Sequence, residues 1–287
     1  MKKHIGIIGG GAAGMMAAVT AARKGTKVTI LERNDRIGKK ILQTGNGKCN
    51  LGNKNLTVEC YHGGDAAWIK QALERFGTED TVCFFQKIGL LIKEKNGYLY
   101  PVSEQAASVL DVLRYELQTL GVEIIYGCKV QKVERTRSGK LVVNDGDREW
   151  QFDAVILTCG GKAAPGTGSD GSGWKIAKKA GHTCIAPVPA LVQLRCLETD
   201  LLKGIAGVRA DSRVRILCDG RETDVERGEL QLTEYGISGI PIFQLSRDVN
   251  YLLRDRKTVM AEIDFLPDMT EESYENMKKT RRMLREK

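Results

Sequence analysis

Three glycines, one acid and a run of cations in the first fifty residues are the groups whose spacing could do chemistry. Residues 5–14 read I-G-I-I-G-G-G-A-A-G, with Gly9, Gly11 and Gly14 in the spacing G-x-G-x-x-G. At such a turn the first glycine lets the chain leave a strand sharply. The second lets backbone approach a pyrophosphate with no Cβ in the way, and the third lets the next helix pack close to the sheet. The N-terminus of that helix offers free N–H groups and the positive end of its dipole to an anion. Glu32 ends the following apolar run, where a carboxylate accepts hydrogen bonds from a ribose and argues against a 2′-phosphate. Strand, glycines, helix, second strand and acid arrive in the order that dinucleotide binding requires.

The loop that follows is polar, cationic and rich in glycine. Lys39 and Lys40 come soon after the acid, within reach of a pyrophosphate. Gly45 and Gly47 bracket Asn46, a pattern that turns backbone N–H groups toward a planar ring or an anion. Cys49 closes the loop, but no histidine follows nearby to activate it, so it reads as a packed thiol rather than a nucleophile. The eight cysteines, at 49, 60, 83, 128, 159, 184, 196 and 218, form no C-x-x-C pair. Their spacing is that of neither a zinc site nor a disulfide framework.

The elements that position these groups follow from periodicity. Residues 5–8 and 27–31 read as buried strands around a helix over 15–24 that Gly25 ends. Helices are predicted over 65–76, from Thr78, and over 106–120, where Val109, Leu110, Leu113, Leu117 and Leu120 make an apolar stripe. Residues 89–92 and 98–101 suggest a hairpin about Asn96-Gly97, a pair suited to a type I′ turn. His62 and Tyr98 are polar candidates in this region, and surface or core roles suffice for both. Strands are expected over 123–126, 128–134 and in the run 152–161. A glycine-rich loop, 165–173, then leads into a helix over 174–180, after which His182 reads as part of the helix end. From Val188 the pattern changes to short strand candidates at 192–194, Val208, 214–218 and 229–232, with a hairpin turn at Asp219-Gly220. A helix over 242–250, a strand over 261–265 and a charged helix over 271–287 complete the chain. The division expected is a Rossmann-like domain over 1–188, an inserted β-rich domain over 189–265 and the start of a helical segment over 266–287.

Composition excludes several classes. The 287 residues are 42% hydrophobic and 28% charged, as in globular proteins. No apolar segment is long enough to span a bilayer. The start Met1-Lys2-Lys3-His4 runs straight into the first strand with no room for a signal peptide, which implies a cytoplasmic protein. Basic residues exceed acidic ones by 44 − 36 = 8. They are scattered except near the C-terminus, where a solvated helical face explains them better than nucleic acid.

With these residues in view, the chain resembles a known family. The run G-K-K-I-L-Q-T-G-N-G-K-C-N at 38–50, following the G-G-G-A-A-G turn, is similar to the signature of the YhiN/BaiN-like NAD(P)/FAD-dependent oxidoreductases, also known as aminoacetone-oxidase-like flavoproteins. D-A-V-I-L-T-C-G-G at 153–161, the loop 165–173 with its following Gly-His, and G-E-L-Q-L-T-E-Y-G-I-S-G-I-P at 228–241 extend the likeness. The last run departs from the family at Gln231-Leu232 and Ile240.

The resemblance implies an α/β flavoprotein of the two-dinucleotide-binding-domain type, with FAD in the N-terminal site and a barrel-like β-rich insertion. Carried over residue by residue, Gly9, Gly11, Ala13 and Gly14 would cradle the pyrophosphate, and Glu32, with Arg33 beside it, would hold the ribose. Lys40, Ile41, Thr44, Gly45, Asn46 and Gly47 would line the flavin. Val130 would meet the adenine through its backbone, and Cys159, Gly160 and Gly161 would pass the FAD. NAD(P)H is the reductant implied, and the acceptor a small organic molecule such as a bile-acid or steroid enone, with no nucleic-acid or membrane partner. An amine-oxidase-like activity, a non-catalytic flavin-binding protein and a flavoprotein acting on RNA are the alternatives. Family members continue past the point where this chain stops, through a helical segment and back to the FAD domain, so a fragment or an incomplete FAD site is expected. No residue stands out as a proton donor.

Overall fold

The computed structural model describes residues 2–285. The chain divides into two compact units, Met1–Cys184 and Ile185–Lys287.

The first unit is built on a parallel sheet. β1 (His4–Ile8), α1 (Ala12–Arg23) and β2 (Lys27–Leu31) form the expected βαβ unit. After a 3₁₀ segment at Ile41–Gly47 come β3 (Gly52–Asn53), α2 (Ala66–Arg75), α3 (Thr78–Lys87), β4 (Ile92–Lys95) and β5 (Tyr98–Pro101). Then follow α4 (Ala106–Thr119), β6 (Glu123–Ile125), β7 (Lys132–Arg135), β8 (Leu141–Asn144), β9 (Glu149–Phe152), β10 (Ala154–Leu157) and α5 (Ser172–Lys179). The central sheet has the order β10-β1-β2-β6, every pair parallel. Buried parallel strands need apolar residues on both faces, and Ile7, Ile8, Val28, Ile30 and Leu31 supply them. Met15, Ala18 and Val19 of α1 share one core with Val109, Leu110, Leu113 and Leu117 of α4.

Three sequence expectations are corrected in this unit. The first helix begins at Ala12 rather than Met15, so Gly14 lies inside its first turn, where close packing against the sheet requires it. The strand expected over 128–134 begins only at Lys132, because Cys128 first donates its N–H to Glu32 O at 2.9 Å and the chain runs past the end of β2. The run 152–161 is not one strand. Phe152 ends the antiparallel sheet β7-β8-β9, and at Asp153 the chain crosses to β1, with mutual backbone and carboxylate bonds to His4 (2.8 and 2.7 Å). In the hairpin β4–β5 the turn and second strand are as read, with Asn96 and Gly97 at φ 53° and 84° as a type I′ turn demands, but the first strand is Ile92–Lys95 rather than 89–92, because pairing runs right up to the turn.

The second unit contains β11 (Leu194–Arg195), α6 (Thr199–Lys203), β12 (Arg209–Cys218), β13 (Arg221–Thr233), β14 (Gly236–Gly239), α7 (Ile240–Arg254), β15 (Val259–Asp264) and α8 (Glu271–Arg285). Its antiparallel sheet has the order β11-β14-β13-β12-β15. Val214, Ile216, Leu230 and Leu232 point to one face and are covered by Ile242, Leu245 and Val249 of α7. The other face carries charged rungs such as Arg209–Glu229 at 3.0 Å and Arg215–Glu262. These rungs explain why β12 and β13 form one long hairpin where the sequence suggested fragments. Residues 286–287 of the expected last helix lie outside the described residues. Among the described residues, no helix is long and apolar enough to cross a membrane.

Candidate dinucleotide site

The cleft at the C-terminal ends of β1 and β2 lies wholly within the first unit and has a volume of about 320 Å³. Backbone bonds fix its floor. Gly9 N–H donates to Leu31 O (2.9 Å), Gly38 N–H to Gly10 O (2.9 Å), and the Thr158 hydroxyl to Gly9 O (2.8 Å). α1 then starts with Gly11 at its cap, no side-chain cap and no acid in its first turn, so its leading amides are left for a ligand. The two later glycines have different work. A Cβ at Gly14 would stand 1.9 Å from Gly9 O, so this glycine is where the helix touches the turn. A Cβ at Gly11 would meet nothing within 4 Å and would instead occupy open space beside the turn. That open backbone at a helix N-terminus is the cradle a pyrophosphate fits.

Glu32 is 6% exposed and its carboxylate is already engaged. Oε2 accepts from Gly10 N–H at 2.6 Å; Oε1 accepts from Asn34 N–H at 2.8 Å and from Asn34 Nδ2 at 2.7 Å. Oε2 keeps a lone pair, so Glu32 can take a ribose hydroxyl while holding the turn. Five basic side chains (Arg33, Arg36, Lys39, Lys40 and Lys129) line the cleft against one acid, Glu32. That excess suits an anionic ligand. Val130 lines the cleft from a segment outside any strand, and its N–H and C=O make no hydrogen bond among the described residues. They are thus open to an adenine edge.

Of the residues singled out in the sequence, Gly9, Gly11, Ala13, Glu32, Arg33, Lys40, Ile41, Thr44, Val130, Cys159 and Gly160 come together around the cleft. Gly14, Gly45, Asn46, Gly47 and Gly161 do not line it. The loop bearing Gly45, Asn46 and Gly47 is left-handed throughout, with φ of 56°, 53° and 81°, and only its earlier residues Ile41 and Thr44 reach the cleft. Sequence reading missed Asn34, Thr158 and Ser169. Asn34 carried a signal, as a short amide two residues after a ribose acid, whereas Thr158 and Ser169 carried none.

Glu104 ties this loop to β4, with Lys48 at 2.7 Å and Lys93 at 2.6 Å. The hydrogen bonds from Lys48 and then Lys93 draw the Glu104 carboxyl down to about 2. A carboxyl lower in the folded than the unfolded chain adds stability that is full above its unfolded value, near 4.5, and fades as pH falls toward 2. Acid titration of the folded signal is expected to begin at higher pH in the wild type's Glu104→Gln variant. Identical midpoints would contradict this.

The thiols behave as packed groups. Burial raises the Cys49 thiol, and burial, with the Asp145 carboxylate next, pushes Cys128 up to about 12. Cys159, raised chiefly by burial and then by Glu32, stands at about 11. Maleimide at pH 7.5 is expected to label the exposed Cys60 and Cys83 first and to leave Cys49, Cys128 and Cys159 unmodified in the folded chain. Early labelling of Cys49 in a peptide map would contradict the reading of a packed thiol. No group of three or more His, Cys, Asp or Glu side chains that could hold a metal occurs among the described residues.

The HI0933-like protein Rossmann domain matches residues 3–246. The chain is 46% identical over 268 residues to the 3-dehydro-bile acid delta(4,6)-reductase of Clostridium scindens, across 93% of this chain and 65% of that protein. It is 32% identical over 278 residues to a ribosomal RNA dihydrouridine synthase of Haemophilus influenzae, across 95% of this chain and 67% of that protein. The chain therefore spans about two thirds of the length of these relatives. Among solved structures, the open conformation of a flavocytochrome c3 fumarate reductase is 18% identical with a TM-score of 0.47, over 73% of this chain and 47% of that one. The resemblance read from residues 38–50 is borne out: the chain belongs to the HI0933-like family, and its first unit is a Rossmann-like FAD-binding domain.

Proposed function

We propose that this chain is the FAD-binding part of an oxidoreductase that takes reducing equivalents from NAD(P)H and saturates a carbon–carbon double bond conjugated to a carbonyl. A bile-acid or steroid enone is the acceptor class. The observation that carries the cofactor assignment is the cleft itself: an uncapped α1 N-terminus beside an open Gly11, with Glu32 buried at its edge and Val130 presenting free backbone. When bound, FAD supplies the capacity to accept and pass on a hydride. The chain's own residues do the rest. The first amides of α1 and the Lys40 ammonium hold the pyrophosphate, Glu32 takes the ribose, and Val130 meets the adenine. Ile8, Leu31 and Ile176 exclude water from the apolar side of the cleft.

Support for the acceptor class is the 46% identity to a reductase of 3-dehydro bile acids. The test is anaerobic: the FAD-loaded chain is reduced with NADH or NADPH and then mixed with a conjugated steroid enone. Bleaching by a nicotinamide followed by return of the oxidised flavin spectrum supports the proposal. Reduction without reoxidation by any enone removes the acceptor assignment.

A second reading is favoured by the relative that makes dihydrouridine in ribosomal RNA and by the net charge of +8. Uracil also carries a double bond conjugated to a carbonyl, so one chemistry serves both acceptors. Salt-sensitive binding of ribosomal RNA, with reoxidation by RNA and not by enones, would select it.

A further inference from the structure

The glycine-rich loop after β10 lies on the cleft. Residues 164–170 form a compact closed loop. Thr167 and Ser169 N–H both donate to Ala164 O (3.0 and 3.2 Å), and Gly171 N–H donates to Gly161 O (2.9 Å), joining its feet. Thr167, Gly168 and Ser169 line the cleft together with the Gly9–Gly11 turn.

Topology says what the loop crosses. It leaves the C-terminal end of β10, and its far side bonds to residues that follow β2. Both strands flank β1, one on each side. With neighbouring strands about 4.8 Å apart, the connection spans about 10 Å, over the end of β1 where the glycine turn and the α1 N-terminus lie. Three side-chain bonds complete it: Arg33 Nη1 to Asp170 Oδ2 at 2.7 Å, Asn34 Nδ2 to Thr167 O at 3.3 Å, and Lys40 Nζ to Ser169 Oγ at 3.4 Å. The Arg33–Asp170 pair is by far the shortest and the only one between full charges.

We propose that residues 164–170 are a clasp over the bound dinucleotide and that the Arg33–Asp170 pair is its latch, so that cofactor enters and leaves only when this pair opens. The proposal rests on the cleft being the dinucleotide site. Asp170 suits the role because its other oxygen is fixed: Oδ1 accepts Ser172 N–H at 3.0 Å, at the start of α5. Arg33 first, and Ser172 next, hold the Asp170 carboxyl well below the usual carboxylate range, so the pair is charged at neutral pH. The two side chains are 28% and 32% exposed, so solvent and salt reach the latch and it can open.

A latch makes a kinetic prediction that a merely structural carboxylate does not. It slows entry and exit together, so its loss raises both rates and alters the equilibrium affinity little. Stopped-flow flavin fluorescence measures FAD association and release for the wild type, Asp170→Asn and Asp170→Glu, with release of a fluorescent ADP derivative measured in parallel. Asp170→Asn keeps an oxygen for Ser172 N–H while removing the charge opposite Arg33. We expect both of its rates to rise about fivefold, the size of effect a partly shielded ion pair supports. Asp170→Glu, which keeps the charge, is expected to restore slow exchange. Because salt also screens the cleft's attraction for the anion, each wild-type rate is compared with that of Asp170→Asn at the same salt, and in 0.5 M NaCl the two should converge. Asp170→Glu carries the comparison if Asp170→Asn folds poorly: its rates should follow the wild type's at both salt concentrations.

Equal rates in all three proteins at both salt concentrations would overturn the clasp, as would a change in release alone. These outcomes leave the FAD assignment standing. A wild-type chain that binds the ADP probe but not FAD would instead remove the FAD assignment, and the clasp would then be judged on ADP release by the same criteria. A chain that binds neither overturns both.

Discussion

Gly14→Ala is expected to lower the melting temperature by about 10 °C and to abolish dinucleotide binding, whereas Gly11→Ala should melt almost normally and fail only in binding. The two glycines stand three residues apart in one turn, yet their surroundings differ. A Cβ at Gly14 would lie 1.9 Å from Gly9 O and 2.9 Å from the Thr158 hydroxyl. Neither neighbour can yield, because Gly9 O accepts the Thr158 hydroxyl and Gly9 N–H is bound to Leu31 O. α1 would have to lift from the sheet, separating Met15, Ala18 and Val19 from the core. Overpacking of this kind costs about 3 kcal/mol, a large part of an ordinary domain's stability. Gly11 has φ −77° and ψ −173°, a conformation any residue adopts, and no atom within 4 Å of a Cβ. As a helix cap, alanine is worse than glycine by at most about 1 kcal/mol, and it also restricts the unfolded chain, which offsets part of that loss. The added methyl occupies the approach to the α1 amides, and affinity for FAD should fall about a hundredfold. Calorimetry and FAD titration of both variants test the pair. A normal FAD affinity in Gly11→Ala would place the pyrophosphate elsewhere.

The second large effect is at Glu32. Its carboxylate does two jobs, one for the fold and one for the ligand, so Glu32→Ala should damage both. Removing it leaves Gly10 N–H without a partner in a buried site, takes the acceptor from Asn34 N–H, and costs Asn34 Nδ2 the shorter of its two bonds. A buried donor left without a partner costs about 1–3 kcal/mol, and water entering the space left by the side chain recovers part of the total, so a net loss of about 3 kcal/mol is expected. Glu32→Gln separates the jobs. It keeps the shape but turns an amide NH₂ toward either Gly10 N–H or the Asn34 donors, so it should cost about 2 kcal/mol and still lose affinity for the ribose. Denaturant melts with and without ADP read the two effects independently. Stability unchanged in Glu32→Ala would mean that the turn does not depend on this carboxylate.

The most legible part of the chain was the part where local geometry and ligand chemistry demand the same residues. The G-x-G-x-x-G spacing, the apolar strands on either side and Glu32 are each required by the βαβ unit itself, so their order was sufficient. The turn Asn96-Gly97 was readable for the same reason, since two successive positive φ angles admit few residues. Legibility failed where partners are distant. β12 and β13 alternate arginine, aspartate and glutamate on their outer face, a poor strand signal until the cross-strand partners are known: Arg209 with Glu229, and Arg227 with Asp211. Asp153 looked like the start of a strand. Its role as the crossing between two sheets depends on His4, at the other end of the unit's sequence.

The site divides along the same line. Glycines that touch the cleft were named from spacing, but Thr158, which bonds Ile8 O and Gly9 O, depends on β10 lying beside β1. The loop at residues 45–47 shows the opposite case. Its glycines were read as ligand-facing, and in the structure they sustain a left-handed turn whose residues do not line the cleft.

The central claim is that the cleft at the ends of β1 and β2 holds FAD through the α1 N-terminus. The most direct measurement is an equilibrium titration of the purified chain with FAD, followed by flavin fluorescence and repeated with Gly11→Ala and with ADP as competitor. The account predicts saturable binding at one FAD per chain, displacement by ADP, and loss of binding in a Gly11→Ala protein whose melting temperature is nearly unchanged. FAD binding that ignores both ADP and the added methyl at Gly11 would contradict it.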